Sequence, residues 1–280
     1  MKTALIQLNS SDDPVSNLGQ ILGFLSEAVA GGAGFCLTPE VSNCVSTSRT
    51  HQQSVLKRQE DDSSLRAIRT FAADNSVWIL IGSLALKTND AQGRFANRSF
   101  LIGPNGEIAA SYDKIHMFDV QVSAEETYRE SAGYRPGTES ILAQTPFAAI
   151  GMTVCYDVRF PHLYRDLAQA GAEVLTIPSA FSPATGKDHW EALLRARAIE
   201  TGCYVLAPAQ TGRHQASVGK ERSTYGHSMA IDPWGKVLLD AGTAPGVHFV
   251  DLDLQTVAQA RKKVPSLTHD RDYARPKGFS

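Results

Sequence analysis

Apolar positions recur along this chain with two alternating periods. Thr3 to Leu8 has strand character, whereas Asn17 to Ala30 sets Leu18, Ile21, Leu22, Leu25 and Ala28 on one helical face, until Gly31-Gly32 stops the helix. Phe35 to Thr38 is a short strand ending at Pro39-Glu40. Ser63 to Asp74 is a second amphipathic helix and Val77 to Leu86 a buried strand. Strand, helix, strand, helix, strand is the rhythm of an α/β unit.

Ser99 to Ile102 and Ile108 to Tyr112 then flank Gly103-Pro104-Asn105-Gly106, whose Asn-Gly signals a hairpin, and the meander ends at Asp113-Lys114. Ile115 to Thr138 reads as loop. Phe147 to Val154 is a strand leading to Cys155, followed by the amphipathic stretch Phe160 to Ala170 and the buried strand Val174 to Pro178. Trp190 to Thr201 reads as a helix and Tyr204 to Ala207 as a strand. A second hairpin, His227 to Ile231 with Val237 to Leu239, turns through Asp232-Pro233-Trp234-Gly235-Lys236. The chain therefore reads as two similar halves, each with α/β units plus an antiparallel hairpin. No Pro/Gly/Ser-rich linker divides them, so one domain over 1–280 is expected, with 253–280 a helix and tail that dock at an oligomer interface.

Composition narrows the class. A chain of 280 residues with 42% hydrophobic and 20% charged residues is long enough for a large core and needs no disulfide or metal to hold it. A net charge of -2 with mixed signs argues against nucleic acid as a partner, and no apolar run reaches the roughly 18 residues of a membrane span. The N-terminus enters a strand without a signal-peptide pattern, so a cytoplasmic address is expected. Cys36, Cys44, Cys155 and Cys203 show no zinc-ligand spacing; free thiols in a reducing compartment are expected, with no metal or cofactor.

Three residues stand just past apolar runs, where α/β folds gather functional groups: Glu40, Lys114 and Cys155. A carboxylate, an ammonium and a thiol together make an acyl-transfer apparatus of base, positive charge and nucleophile. Cys155 sits where a strand gives way to a helix, and the positive helix end there favours a thiolate. A Cys–His dyad is the competing arrangement, with His116, His162, His189 and His227 available; His227 reads rather as a structural hydrogen-bonding residue. Cys36, Cys44 and Cys203 are assigned to packing.

Leu37-Thr38-Pro39-Glu40, Tyr112-Asp113-Lys114-Ile115-His116-Met117-Phe118-Asp119 and Met152-Thr153-Val154-Cys155-Tyr156-Asp157-Val158-Arg159-Phe160-Pro161 resemble the three signature segments of the nitrilase superfamily of carbon–nitrogen hydrolases. The resemblance runs from Ala4 to about Asp272. It implies an α/β fold of four layers, an α-β-β-α sandwich with two pseudo-symmetric halves, and a Glu-Lys-Cys triad. By that resemblance Cys155 attacks the amide carbon, Glu40 is the general base, and Lys114 and the Tyr156 N–H hold the oxyanion. A second glutamate of the family falls on Glu130 in Tyr128-Arg129-Glu130-Ser131, with Glu125 and Glu126 nearby.

Pro178-Ser179-Ala180-Phe181, the segment from His189 to Glu200, Ala207-Pro208-Ala209-Gln210 and Thr224-Tyr225-Gly226-His227-Ser228 are similar to the branch acting on deaminated glutathione, in which a carbonyl replaces the glutamyl amino group. That likeness implies metabolite repair: hydrolysis to 2-oxoglutarate and cysteinylglycine. The alternatives are an ω-amidase acting on α-ketoglutaramate or α-ketosuccinamate, and, in another class, a catalytically silent scaffold. Either substrate is an anionic keto-acid amide and calls for cationic or hydrogen-bonding groups. Arg159 is one candidate, with an ion pair to Asp157 as its other reading; Phe118, Phe181 and Tyr156 are candidate walls, and Thr185 and Arg222 candidate polar contacts. Trp190 reads as a packing residue. The family's common unit is a homodimer, here expected to use the Arg165-containing helix, the 190–201 helix and the tail.

Overall fold

The fold was read from a computed structural model that describes residues 1–122, 127–274, 276 and 278. The first half runs β1 (Lys2–Gln7), α1 (Pro14–Ala30), β2 (Phe35–Leu37), α2 (Arg49–Val55), α3 (Ser63–Asn75), β3 (Trp78–Leu86), β4 (Ala96–Ile102) and β5 (Ile108–Asp113). A small hairpin of β6 (Asp119–Gln121) and β7 (Thr127–Arg129) follows. The second half runs β8 (Ile141–Gln144), β9 (Ala149–Met152), α4 (Pro161–Gln169), β10 (Val174–Thr176), α5 (Pro183–Thr201), β11 (Tyr204–Ala207), β12 (Thr211–His214), β13 (Arg222–Tyr225), β14 (Met229–Ile231) and β15 (Val237–Asp240). β16 (Gly246–Asp251) and α6 (Gln255–Lys263) complete it.

Two six-stranded sheets result, ordered β16-β1-β2-β3-β4-β5 and β8-β9-β10-β11-β14-β15. In each, an antiparallel edge strand is followed by three parallel strands and then two antiparallel ones. The halves thus repeat one plan, except that the first sheet takes its edge strand, β16, from the far end of the chain. The central strands are buried on both faces, which is why they read as nearly unbroken apolar runs. Alternate residues serve different layers. Ala4, Ile6, Cys36, Ile79 and Ile81 pack on Ile21, Leu25, Leu65 and Ile68 of α1 and α3. Leu5, Phe35, Leu37 and Leu80 face the other way, into a core shared with Met152, Leu175, Leu167 and Leu194 of the second half. Helix, sheet, sheet, helix is therefore the layer order.

Local chemistry sets the element ends. Asp13 caps α1 by accepting from the N–H groups of Val15 and Ser16, and Pro14 opens the helix. The region 115–138, expected as loop, contains the β6–β7 hairpin and a 3-10 turn at Glu130–Ala132. The helix expected over 190–201 starts seven residues earlier, behind Ser182 and with Pro183 in its first turn. The tail segment 266–270 lies on α4 of the same chain, where Arg165 donates to Ser266 O and pairs with Asp270, and Gln169 donates to Leu267 O. Among the described residues no helix is long and apolar enough to cross a membrane.

Candidate active site

Four elements end at one place. β9 leads through Thr153 and Val154 to Cys155, whose backbone is left-handed at φ +51, a conformation side chains other than glycine adopt only when their surroundings enforce it. Here the enforcement is visible. Cys155 N–H donates to Pro178 O at 3.0 Å. The wholly buried Asp157 carboxylate accepts from Val154 N–H (2.8 Å), the Tyr112 hydroxyl (2.7 Å) and His116 N–H (3.0 Å). The nucleophile turn is thereby bonded to the segment that carries Lys114.

Glu40 follows β2 in a turn whose next residue, Val41, also has positive φ. Val41 N–H donates to Ser83 Oγ, and Gly82 lets β3 come so close that a Cβ there would collide with the carbonyl oxygens of Thr38 and Pro39. Glu40 Oε1 accepts from Lys114 Nζ at 2.9 Å and Asn97 Nδ2 at 2.8 Å, and Oε2 accepts from Ala180 N–H at 2.8 Å. The Cys155 thiol stands beside the Glu40 carboxylate. Lys114, 2% exposed, reaches from the end of β5 to Glu40 and to both oxygens of Glu130, at 2.9 and 2.8 Å. Glu130 opens the turn after β7 and accepts from Phe118 N–H at 2.7 Å. Glu125 and Glu126 lie outside the described residues.

Electrostatics follow from this geometry. Burial works to raise the Glu40 pKa, but the charge and hydrogen bond of Lys114, the charge of Arg222 and the neighbouring Cys155 thiol outweigh it and hold Glu40 below the usual carboxylate range. Burial works to lower Lys114, and the charges of Glu130 and Glu40 overcome it, holding the ammonium well above its ordinary value. Burial, then the charge of Glu40, push the Cys155 thiol up, against the charge of Lys114. The expected thiolate-favouring helix end is absent because Cys155–Arg159 is a 3-10 turn and α4 begins only at Pro161. Cys155 therefore rests as a thiol beside a carboxylate that can take its proton.

These groups open on a cavity of about 470 Å³ whose wall includes Phe118, Tyr128, Tyr156, Phe181, Thr185 and Arg222. The Phe118 ring meets Tyr156 at 5.0 Å and Tyr128 at 4.9 Å. Arg222, on β13, lies over the Tyr128 ring and donates from Nη2 to Ala180 O at 2.5 Å; its Nε is buried without a hydrogen-bond partner. Thr185 Oγ1 approaches Ser182 O at 3.5 Å. Arg159 is not part of the wall. It sits behind the Phe181 and Tyr156 rings and bonds His189, while Asp157, its other expected partner, is engaged by Tyr112, Val154 and His116.

None of the four candidate histidines lines the cavity. His116 is held by Asp157 and stacked on Phe160, His162 packs edge-on against the same pair, His189 faces Arg159, and His227 pairs with Asp240. Trp190 packs on Phe181 and donates to His227 O. Cys44, assigned to packing, is buried and also borders the cavity. Asn97, between the two carboxylates, had no signal in the apolar pattern.

Twin α/β sheets that deliver a thiol, a carboxylate and an ammonium to one cavity define a carbon–nitrogen hydrolase. Residues 2–262 match the profile of the carbon-nitrogen hydrolase family, and the chain belongs to it. The deaminated glutathione amidase of Yersinia enterocolitica is 38% identical over 270 residues, 96% of this chain and 92% of that protein. The protein of the same name from Mus musculus is 36% identical over 271 residues, 96% of this chain and 82% of its own. Among solved structures, the C. elegans NitFhit protein superposes with a TM-score of 0.88 at 33% identity, over 96% of this chain; this chain spans 65% of the NitFhit length. Saccharomyces cerevisiae Nit3, a member of branch 10 of the nitrilase superfamily, gives 0.85 at 26% identity, covering 98% and 97% of the two chains.

Proposed function

We propose that this chain is an amidase that cleaves deaminated glutathione, through a thioester on Cys155, into 2-oxoglutarate and cysteinylglycine. The observation that carries the reading is the closed network in which Lys114 bridges Glu40 and Glu130 beside the Cys155 thiol. The names of relatives 36% and 38% identical support the substrate.

In this mechanism Glu40 accepts the thiol proton as Sγ attacks the amide carbon. Loss of the Glu40 charge leaves Lys114 balanced by Glu130 alone, so its ammonium turns to the oxyanion that has just formed. The Tyr156 N–H is the second donor, and such a donor is worth roughly 10²–10³ in rate on other enzymes. Glu40 returns the proton to the departing cysteinylglycine amine. It then takes a proton from water as the water adds to the thioester carbon; the intermediate collapses with cleavage of the C–S bond, Glu40 passes that proton to the Cys155 sulfur, and 2-oxoglutarate leaves. Glu130 holds Lys114 charged throughout and does not touch the reacting atoms.

On the substrate side, Arg222 is a wall cation with hydrogen-bonding capacity left over, its Nε being buried without a partner, and it suits the keto-acid carboxylate. Arg49 also lines the cavity, but it is committed to Gly133 O and Gly93 O. A volume of about 470 Å³ falls in the range that takes drug-sized ligands, ~300–1,000 Å³, with room for a dipeptide beyond the acyl group. Phe118 and Phe181 flank the acyl chain, and Thr185 is a polar contact.

The protein acts as a homodimer in the cytoplasm. Ile199 on α5, Trp234 in the β14–β15 turn and Val264 after α6 are exposed apolar side chains that support a twofold contact. The four free cysteines fit a reducing compartment. Solution mass tests the dimer. The test of the activity is cysteinylglycine release from deaminated glutathione by wild type and C155A, beside turnover of α-ketoglutaramate. Release abolished in C155A, with the higher kcat/KM on deaminated glutathione, is the expected result; preference for α-ketoglutaramate makes the chain an ω-amidase, and equal background rates make it a scaffold.

A further inference from the structure

Asn97 lies on β4, 2% exposed, and lines the cavity. Its side-chain amide donates to Glu40 Oε1 at 2.8 Å and to Glu130 Oε1 at 3.4 Å. Its backbone carbonyl accepts from Lys114 N–H at 3.0 Å. One residue thus touches both carboxylates and fixes the backbone of the ammonium between them. Its Oδ1 is buried with no hydrogen-bond partner. A purely architectural asparagine satisfies both ends of its amide in a buried site. Here the acceptor end is sacrificed so that the donor end meets two carboxylates, which accept only.

We infer that Asn97 is a positioning residue for the base: it aims the Glu40 carboxylate at the thiol and sets how readily that carboxylate gives up and regains its charge. Two donors on Oε1 and the Ala180 N–H on Oε2 leave the carboxylate one orientation toward Cys155. The groups facing Glu40 are Lys114 from β5, Glu130 after β7, Cys155 after β9, Arg222 on β13 and, more distantly, Tyr134. Of the Glu40 donors, Asn97 alone is a neutral side chain that keeps its donor capacity unchanged at every pH. Hydrogen bonds to the charged form of an acid favour that form. Removing this one raises the pH at which Glu40 becomes a proton acceptor, and loosens its aim.

The inference rests on Glu40 acting as the base, so the test reads that chemistry without the amide substrate. The rate of Cys155 alkylation by iodoacetamide is followed against pH, with the site located by peptide mass spectrometry, in wild type, N97A, N97S, E40Q and S99A. Ser99, buried on the same strand and donating to Ile81 O, reports what a lost buried hydrogen bond does by itself. The expected result is an acid limb displaced to higher pH in N97A and N97S, with S99A superimposed on wild type. In turnover, kcat falls by about 10²-fold with KM little changed, the scale of a roughly 1 Å misplacement. If N97A fails to fold, N97S carries the same comparison. An N97A or N97S profile that coincides with S99A overturns the inference while E40Q remains slow. An E40Q enzyme alkylated as fast as wild type removes the base reading and this inference with it.

Discussion

The Tyr112 hydroxyl donates to the Asp157 carboxylate at 2.7 Å, two residues before Lys114 on one side and two after Cys155 on the other. Nucleophile and cation are thus registered to each other through a buried bond that neither makes itself. D157A strands the donors of Tyr112, Val154 and His116 in the core and is expected to cost about 3–5 kcal/mol, the scale of removing one partner of a buried charged pair. Y112F removes one hydrogen bond to a charge and is expected to cost about 1.5–3 kcal/mol. Urea melts of the two variants check the ranking.

C155A is expected to reduce turnover to background, and E40Q to lower kcat by roughly 10²–10⁴-fold, the usual contribution of a general base. K114M is expected to be both inactive and less stable. It leaves Glu40 and Glu130 with no cation between them, so one must take up a proton near neutral pH. A melt that improves as pH falls, opposite to wild type, is the signature to look for in K114M.

His214 is buried, bonded to Ser10 O and Thr224 Oγ1, and burial, with the charge of Arg222, lowers its pKa to about 4. Between that value and the ordinary 6.5 the unfolded chain binds the proton and the folded one does not, so stability rises with pH in this window. The contribution is complete above pH 6.5 and lost as pH falls toward 4, at most ~3 kcal/mol. Thermal melts across this range are expected to fall steeply in wild type and less steeply in H214Q.

Arg222 is half-buried in the wall, with a buried, unpartnered Nε. R222Q is expected to raise KM for deaminated glutathione by roughly 10–100-fold, as a charge-assisted hydrogen bond of about 1.5–3 kcal/mol is lost, while leaving a neutral amide little changed. R159Q is expected to have the smaller effect, because its side chain lies behind the wall. Steady-state kinetics on charged and neutral amides separate the two arginines; the reverse ranking would reassign the carboxylate.

The fold was legible where one pattern had one physical cause. Helical periodicity in α1 and α3 and the nearly unbroken apolar runs of the central strands marked the α/β elements, the four layers followed only from the family resemblance, and the positions just past those strands pointed to Glu40, Lys114 and Cys155 as candidates. β16 was not legible. Gly246–Asp251 is a half-exposed edge strand whose partner, β1, lies at the other end of the chain. The first turns of α5 escaped notice because Pro183-Ala184-Thr185-Gly186 has no apolar stripe. Asn97 gave no signal because its function comes from contact with two carboxylates 57 and 33 positions away. Arg159 misled by proximity: four residues past the nucleophile is close in sequence, but the 3-10 turn points it behind the aromatic wall.

The covalent intermediate is the direct test. Enzyme mixed with deaminated glutathione and quenched in acid within the first turnovers is examined by intact and peptide mass spectrometry, with cysteinylglycine measured in the same samples. A 2-oxoglutaryl group in thioester linkage to Cys155, formed with a burst of cysteinylglycine and absent in C155A, is the result expected from this site. Turnover of deaminated glutathione that persists in C155A, or an acyl group found elsewhere, would contradict it.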